Sequence, residues 1–166
     1  MVRVYIPATL TMLQTLVADG SIHARSGTAF AVTPTLRESY FEGDDDELAE
    51  VALREAALAS LRLLAAEGDS GLPPRRAVLV AEVDGATLRP DLDDAVVRLD
   101  GPVGIADVIA AYLDNAAAEP AVLEAIEVID SADLGDEDAE FTVGDAQDHD
   151  LAWYASQELP FLLDLL

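Results

Sequence analysis

The segment GDDDELAEVALREAALASLRLLAAEG, Gly43 to Gly68, constrains the fold of this chain more than any other. Asp44 with Glu47 forms a capping signal, and carboxylates in the first turn complement the helix dipole. Glu50 and Arg54 stand at the favourable i,i+4 spacing along a polar edge that also holds Glu47. Gly68 closes the helix, so the pattern predicts one long element from about Asp46 to Glu67. Beyond Glu55 it is apolar almost all round, and such a helix must be buried against more than one neighbour. It is expected to be the most buried helix of a layered fold.

The layers it packs on are legible on either side. VRVYIP (Val2 to Pro7) alternates apolar residues and reads as a first strand, expected at the centre of a sheet. Thr9 caps the helix that follows, with Leu10, Leu13 and Leu16–Val17 at helical spacing before Asp19-Gly20. A short strand is expected at Thr28 to Val32. Pro34 then suits a first helical position after a Thr33 cap, with Thr35 and Glu38 as an alternative capping box. RAVLVAEV is a strong strand followed by the turn signal Asp84-Gly85. AVVRL (Ala95 to Leu99) is expected to pair with it, directly or through Ala86 to Arg89. Ile105 to Asn115 fits either a helix face or a half-turn followed by a strand at Ile109 to Leu113, and the strand is preferred. A fresh helix starts near Pro120 in EPAVLEAIEVI. Asp130 to Glu140 reads as an acidic loop. LAWYA is a last strand before a C-terminal helix ending LPFLLDLL. The alternation predicts a single α/β domain over 1–166, a mixed sheet of about five or six strands flanked by about five helices.

Charge limits the partners. The chain carries 33 acids against 9 bases, a formal net charge of −24, and every base is arginine. A missing lysine with abundant Ala, Val, Leu and Asp points to a GC-rich coding bias. The summed field repels polyanions, so neither nucleic acid nor an anionic membrane surface is an expected partner. No apolar run approaches the ~18 residues of a membrane span, and no signal peptide is evident at MVRVYIPATL. Cysteine is absent, which removes disulfides, thiolate chemistry and common zinc cages. A soluble, acidic, cytoplasmic protein is expected.

Motifs for known chemistries are missing. Aligning Gly135 with the turn glycine of an EF-hand loop puts Ala132 and Leu134 where oxygen ligands must stand. The run Asp44 to Glu47 is better explained by helix capping. No lysine-bearing phosphate loop exists, Gly101 to Gly104 lacks dinucleotide-loop spacing, and no G-x-S-x-G elbow occurs. No catalytic residue, metal ligand or cofactor is therefore assigned.

The stretch DHDLAWYASQELP (Asp148 to Pro160) concentrates the remaining candidates. His149 has a carboxylate on each side, and Asp148 or Asp150 can orient its ring as a general base. Strand alternation puts Leu151, Trp153 and Ala155 on one face and Ala152 and Tyr154 on the other. Trp153 is expected to point inward as a core anchor that locks the last helix through a Phe161–Leu166 face, with Ser156 or Glu158 starting that helix. The candidate binding residues are His149, Asp148, Tyr154, Glu158 and Arg37, the last for an anion.

The opening RVYIPATLTMLQTLVADG, the middle TAFAVTPTLRESYFEGDDDELAEVALREAALASLRLLA and the closing DHDLAWYASQELP resemble a family of small uncharacterised proteins from high-GC Gram-positive bacteria. The likeness spans essentially the whole chain. It implies a complete, free-standing bacterial protein and transfers no catalytic residue, ligand or partner. The favoured function is a non-catalytic binding or interaction protein, whose partner is an unknown protein or a small molecule. The alternative is an enzyme with a spatially assembled polar site around His149. A concave pocket joining His149 to Arg37 or Tyr5 favours the enzyme, and a flat apolar patch favours the interaction protein.

Overall fold

The structure, a computed structural model, describes residues 1–40 and 42–166. Nine strands are present among them: β1 (Val2–Ala8), β2 (Ser21–Ile22), β3 (Thr28–Phe30), β4 (Ala77–Val83), β5 (Ala86–Leu88), β6 (Val96–Leu99), β7 (Val103–Gly104), β8 (Val108–Leu113) and β9 (Ala152–Ala155). Six α-helices accompany them: α1 (Leu10–Asp19), α2 (Pro34–Ser39), α3 (Asp45–Glu67), α4 (Glu119–Asp133), α5 (Glu137–Gln147) and α6 (Leu159–Asp164). Seven strands form one sheet in the order β5-β6-β3-β1-β4-β8-β9, and β2 and β7 form a small second sheet.

The helix-flanked α/β architecture matches the expectation, and β1 is the central strand. The sheet itself differs from the mixed one expected. It has seven strands, and every pairing is antiparallel. The segment Ala95 to Leu99 pairs with β5 and β3 rather than with β4, because β4 is flanked by β1 and β8. Gly85, at φ 77°, carries the turn from β4 to β5. That positive φ is what calls for glycine, since the nearest atom to an added Cβ, Asp100 Oδ2 at 2.7 Å, ends an exposed side chain that can turn away.

Strand alternation divides the core in two. Val4, Ile6, Leu79, Ala111 and Leu113 face α1 and α6, meeting Leu10, Leu13, Leu16 and Leu159. Tyr5, Phe30, Val78, Val80 and Ala110 face α3, meeting Leu48, Ala52, Ala56 and Ala57. The far end of α3 packs Leu61 against Val122, Ala125 and Ile129 of α4 and Val143 and Ala146 of α5. The all-round apolar character of α3 thus has its cause: it serves the sheet on one side and the α4–α5 pair on the other. Ser60 stitches this junction, donating to the Ala8 carbonyl at 2.7 Å and accepting from the Ala77 N–H at 3.0 Å.

Side chains of Thr9, Thr33 and Asp44 each cap the helix they precede. Ile105–Asp107 is a short 3₁₀ turn leading into β8, so the strand reading of Ile109 to Leu113 holds. The acidic loop expected at Asp130 to Glu140 is instead the end of α4, a turn at Leu134 to Asp136, and the start of α5. Asp136 caps α5 by accepting from the Ala139 N–H. The expectation for Trp153 is also overturned. It is 58 % exposed on the sheet's edge strand, while its neighbour Tyr154 turns to the α1–α6 side. Of the Phe161–Leu166 face only Leu162 and Leu163 pack on the core, partly buried, while Phe161 is 73 % exposed, and the fully buried Leu159 holds α6 down. No described helix is long and apolar enough to cross a membrane.

Candidate functional site

A cavity of about 950 Å³ opens on the α3 side of the sheet. Its floor is set by strand register. Alternation turns Arg3 and Tyr5 of β1 to this side, away from Val4 and Ile6. On β8 the same rule turns Tyr112 this way, between Ala111 and Leu113 on the opposite face. One wall is the first half of α3, with Asp46, Ala49, Glu50, Leu53, Arg54 and Ala57. The other wall is the turn from α5 to β9, Gln147 to Leu151, with Arg76 from the start of β4 beneath it.

A buried ion pair holds that turn in place. Arg76 and Asp114 have side-chain exposures of 3 % and 0 %. Arg76 donates from Nε to Asp114 Oδ2 at 2.9 Å and from Nη2 to Oδ1 at 2.8 Å. The Arg76 N–H also donates to Asp114 Oδ2, and the Asp114 N–H donates to the Arg76 carbonyl. Arg76 Nη2 further donates to the His149 carbonyl at 2.7 Å. A charge this deep is tolerated because Nε and Nη2 both meet acceptors and the facing carboxylate is engaged on both oxygens. It anchors His149 through the backbone, so the half-buried imidazole is positioned without being consumed in a bond.

Of the residues singled out in the sequence, His149 and Asp148 line the cavity. The other three do not. Arg37 is ion-paired with Asp45 on the exposed end of α3. Tyr154 faces the opposite side of the sheet, and the Glu158 carboxylate accepts from the Ala155 N–H, which helps to start α6. The cavity therefore joins His149 to Tyr5 and leaves Arg37 apart. Sequence reasoning missed Tyr112 and the Arg76–Asp114 pair, whose members are brought together by β4–β8 pairing; no local spacing signals them.

The electrostatics follow from the geometry. Burial, then the neighbouring Tyr112 and Asp46, push the Tyr5 hydroxyl above the ordinary phenol range, with Arg3 opposing. Tyr5 is thus a neutral donor and acceptor at physiological pH. Arg3 is engaged with Glu82, its cross-strand partner, at 3.0 Å, and Arg54 with Glu50 at 3.3 Å. Among the described residues no group of three or more His, Cys, Asp or Glu is arranged to hold a metal ion.

Fold and cavity together define a small α/β protein with a polar, tyrosine-floored cleft beside its longest helix. The chain belongs to a family of unknown function, DUF6912, whose model matches residues 2–163. No curated protein and no solved structure matches it.

Proposed function

We propose that this chain is a small-molecule binding protein, acting as one domain over 1–166, with the α3-side cavity as its ligand site. The observation that carries the reading is convergence: β1, α3, β8 and the turn at 147–151 all contribute side chains to one concave cleft. A cleft in the usual size range of ligand pockets, with a few polar groups around aromatic faces, is the kind that holds small ligands. Its join of His149 to Tyr5 also favours the second reading, an enzyme built around His149. No chemical step is assigned, because the hydrogen bonds His149 makes among the described residues run through its backbone. A general base needs its ring oriented by a partner. The setting proposed is the cytoplasm of a high-GC Gram-positive bacterium, supported by a chain without lysine or cysteine.

The test is amide NMR of the full chain against a panel of cationic, anionic and neutral polar metabolites. Saturable shifts are expected to cluster at residues 3, 5, 46, 49, 112 and 147–151. Ala49→Trp, which fills the cleft from the helix side, should abolish them while the spectrum stays folded. Shifts that fall elsewhere, or that survive Ala49→Trp unchanged, overturn the assignment.

A further inference from the structure

Tyr5 is only 8 % exposed, and it lines the cavity. Its hydroxyl makes no hydrogen bond among the described residues, although a buried phenol ordinarily finds a partner. Nor is the oxygen sealed in. Among the described residues Arg98 Nε is the side-chain atom that is both cut off from solvent and unpartnered, so the Tyr5 oxygen opens onto the cleft. A donor–acceptor group is therefore held nine-tenths buried with its free bonding directions facing the cavity.

The unpaired charge around it has one sign. Asp46, Asp148 and Asp150 line the cavity and take no ion-pair partner among the described residues. The arginines that line it are all engaged: Arg3 with Glu82, Arg54 with Glu50 and Arg76 with Asp114. The uncompensated charge is negative, inside a chain of net charge −24, and a cleft of one sign concentrates counter-ions of the other. Tyr5 and Tyr112 both line the cleft, and aromatic rings attract cations.

We infer that the ligand is a small organic cation, an ammonium or amidinium compound. Its N–H donates to the Tyr5 hydroxyl oxygen, and Asp46, Asp148 and Asp150 balance its charge. The inference rests on the cavity being the ligand site. An anion of similar size would meet three carboxylates without ion-pair partners and only arginines already paired with carboxylates.

The probes are putrescine and citrate, titrated into the full chain at about 0.15 M salt, where exposed charges are screened over roughly 8 Å. Putrescine is expected to saturate shifts at Tyr5, Asp46, Tyr112 and His149. Tyr5→Phe should weaken it about tenfold, the usual effect of losing a hydrogen bond to a charged group. Asp148→Asn should weaken it a few-fold, and Arg3→Gln, which removes the nearest cation, should tighten it. Citrate saturating at those amides while putrescine does not overturns the cation assignment and leaves the cavity as ligand site. Putrescine shifts spread over the acidic surface, and unchanged in both Tyr5→Phe and Asp148→Asn, also overturn it. Failure of the whole metabolite panel at these amides removes the cavity reading itself.

Discussion

Trp153 is the only tryptophan, yet it sits beside Tyr112 across the β8–β9 ladder and stays 58 % exposed. The edge strand carries it past the reach of α3, which packs on β1, β3 and β4. Trp153→Ala should therefore cost about 1 kcal/mol or less in urea unfolding, as surface changes do. Leu159→Ala, at a fully buried position, should cost about 2–5 kcal/mol. The reverse order would mean that the strand's inward face has been misassigned. Asp114→Ala leaves the Arg76 guanidinium buried without its carboxylate and should cost about 3–5 kcal/mol. His149→Ala should leave stability nearly unchanged, because Arg76 binds the carbonyl and not the ring. Glu55 behaves in the opposite sense to a paired acid. Burial, then Asp93, raise its carboxyl above the ordinary range, with Arg62 opposing. A raised folded value means that its contribution is fully present below the unfolded carboxylate range. It is lost as pH rises through the folded value. Glu55→Gln should accordingly be more stable than the parent at neutral pH, with the gap closing on acidification; an equal or lower midpoint at neutral pH refutes this.

At the scale of elements, what the sequence disclosed tracks the size of the apolar side chains. α1 and α3 were legible because Leu10, Leu13 and Leu16, and then Leu48 and Leu61, mark a face in large residues between clear caps. α5 was not, because its buried stripe is Ala139, Val143 and Ala146, two of them alanines, while Phe141 points outward at 76 % exposure. Its remaining signal is Asp136 before an acidic first turn, which in sequence looks the same as an acidic loop. That cap gives a test: Asp136→Ala should cost about 1 kcal/mol, seen as faster amide exchange in 137–140 before any other segment. Pairing order was hidden for a different reason. Asp84-Gly85 resembles a hairpin turn, but β4 is already occupied on both edges by β1 and β8. The chain after Gly85 has to pair elsewhere. The site suffers from the same non-locality: His149 and Asp148 stood out as a motif, whereas Tyr5, Tyr112 and Asp114 join them only through the register of β1, β4 and β8.

At the scale of the whole molecule, the 33 acids do more than discourage polyanions; they occupy the arginines. Arg3, Arg37, Arg54, Arg62, Arg75, Arg76 and Arg89 each lie in an ion pair with a carboxylate of the same chain. Two of the nine bases, Arg25 and Arg98, stand outside such pairs among the described residues, and Arg98 spends one N–H on the Ser26 carbonyl. Binding duplex DNA or RNA strips counter-ions from several phosphates, and beyond Arg25 and Arg98 each further phosphate contact needs a cation released from its present partner. Seven of those releases would leave a carboxylate facing the polyanion. No mobility shift of duplex or single-stranded nucleic acid is therefore expected at about 0.15 M salt. A measured log–log salt slope of several units would require arginines that the folded chain has already committed, and would show that the acidic surface rearranges on contact.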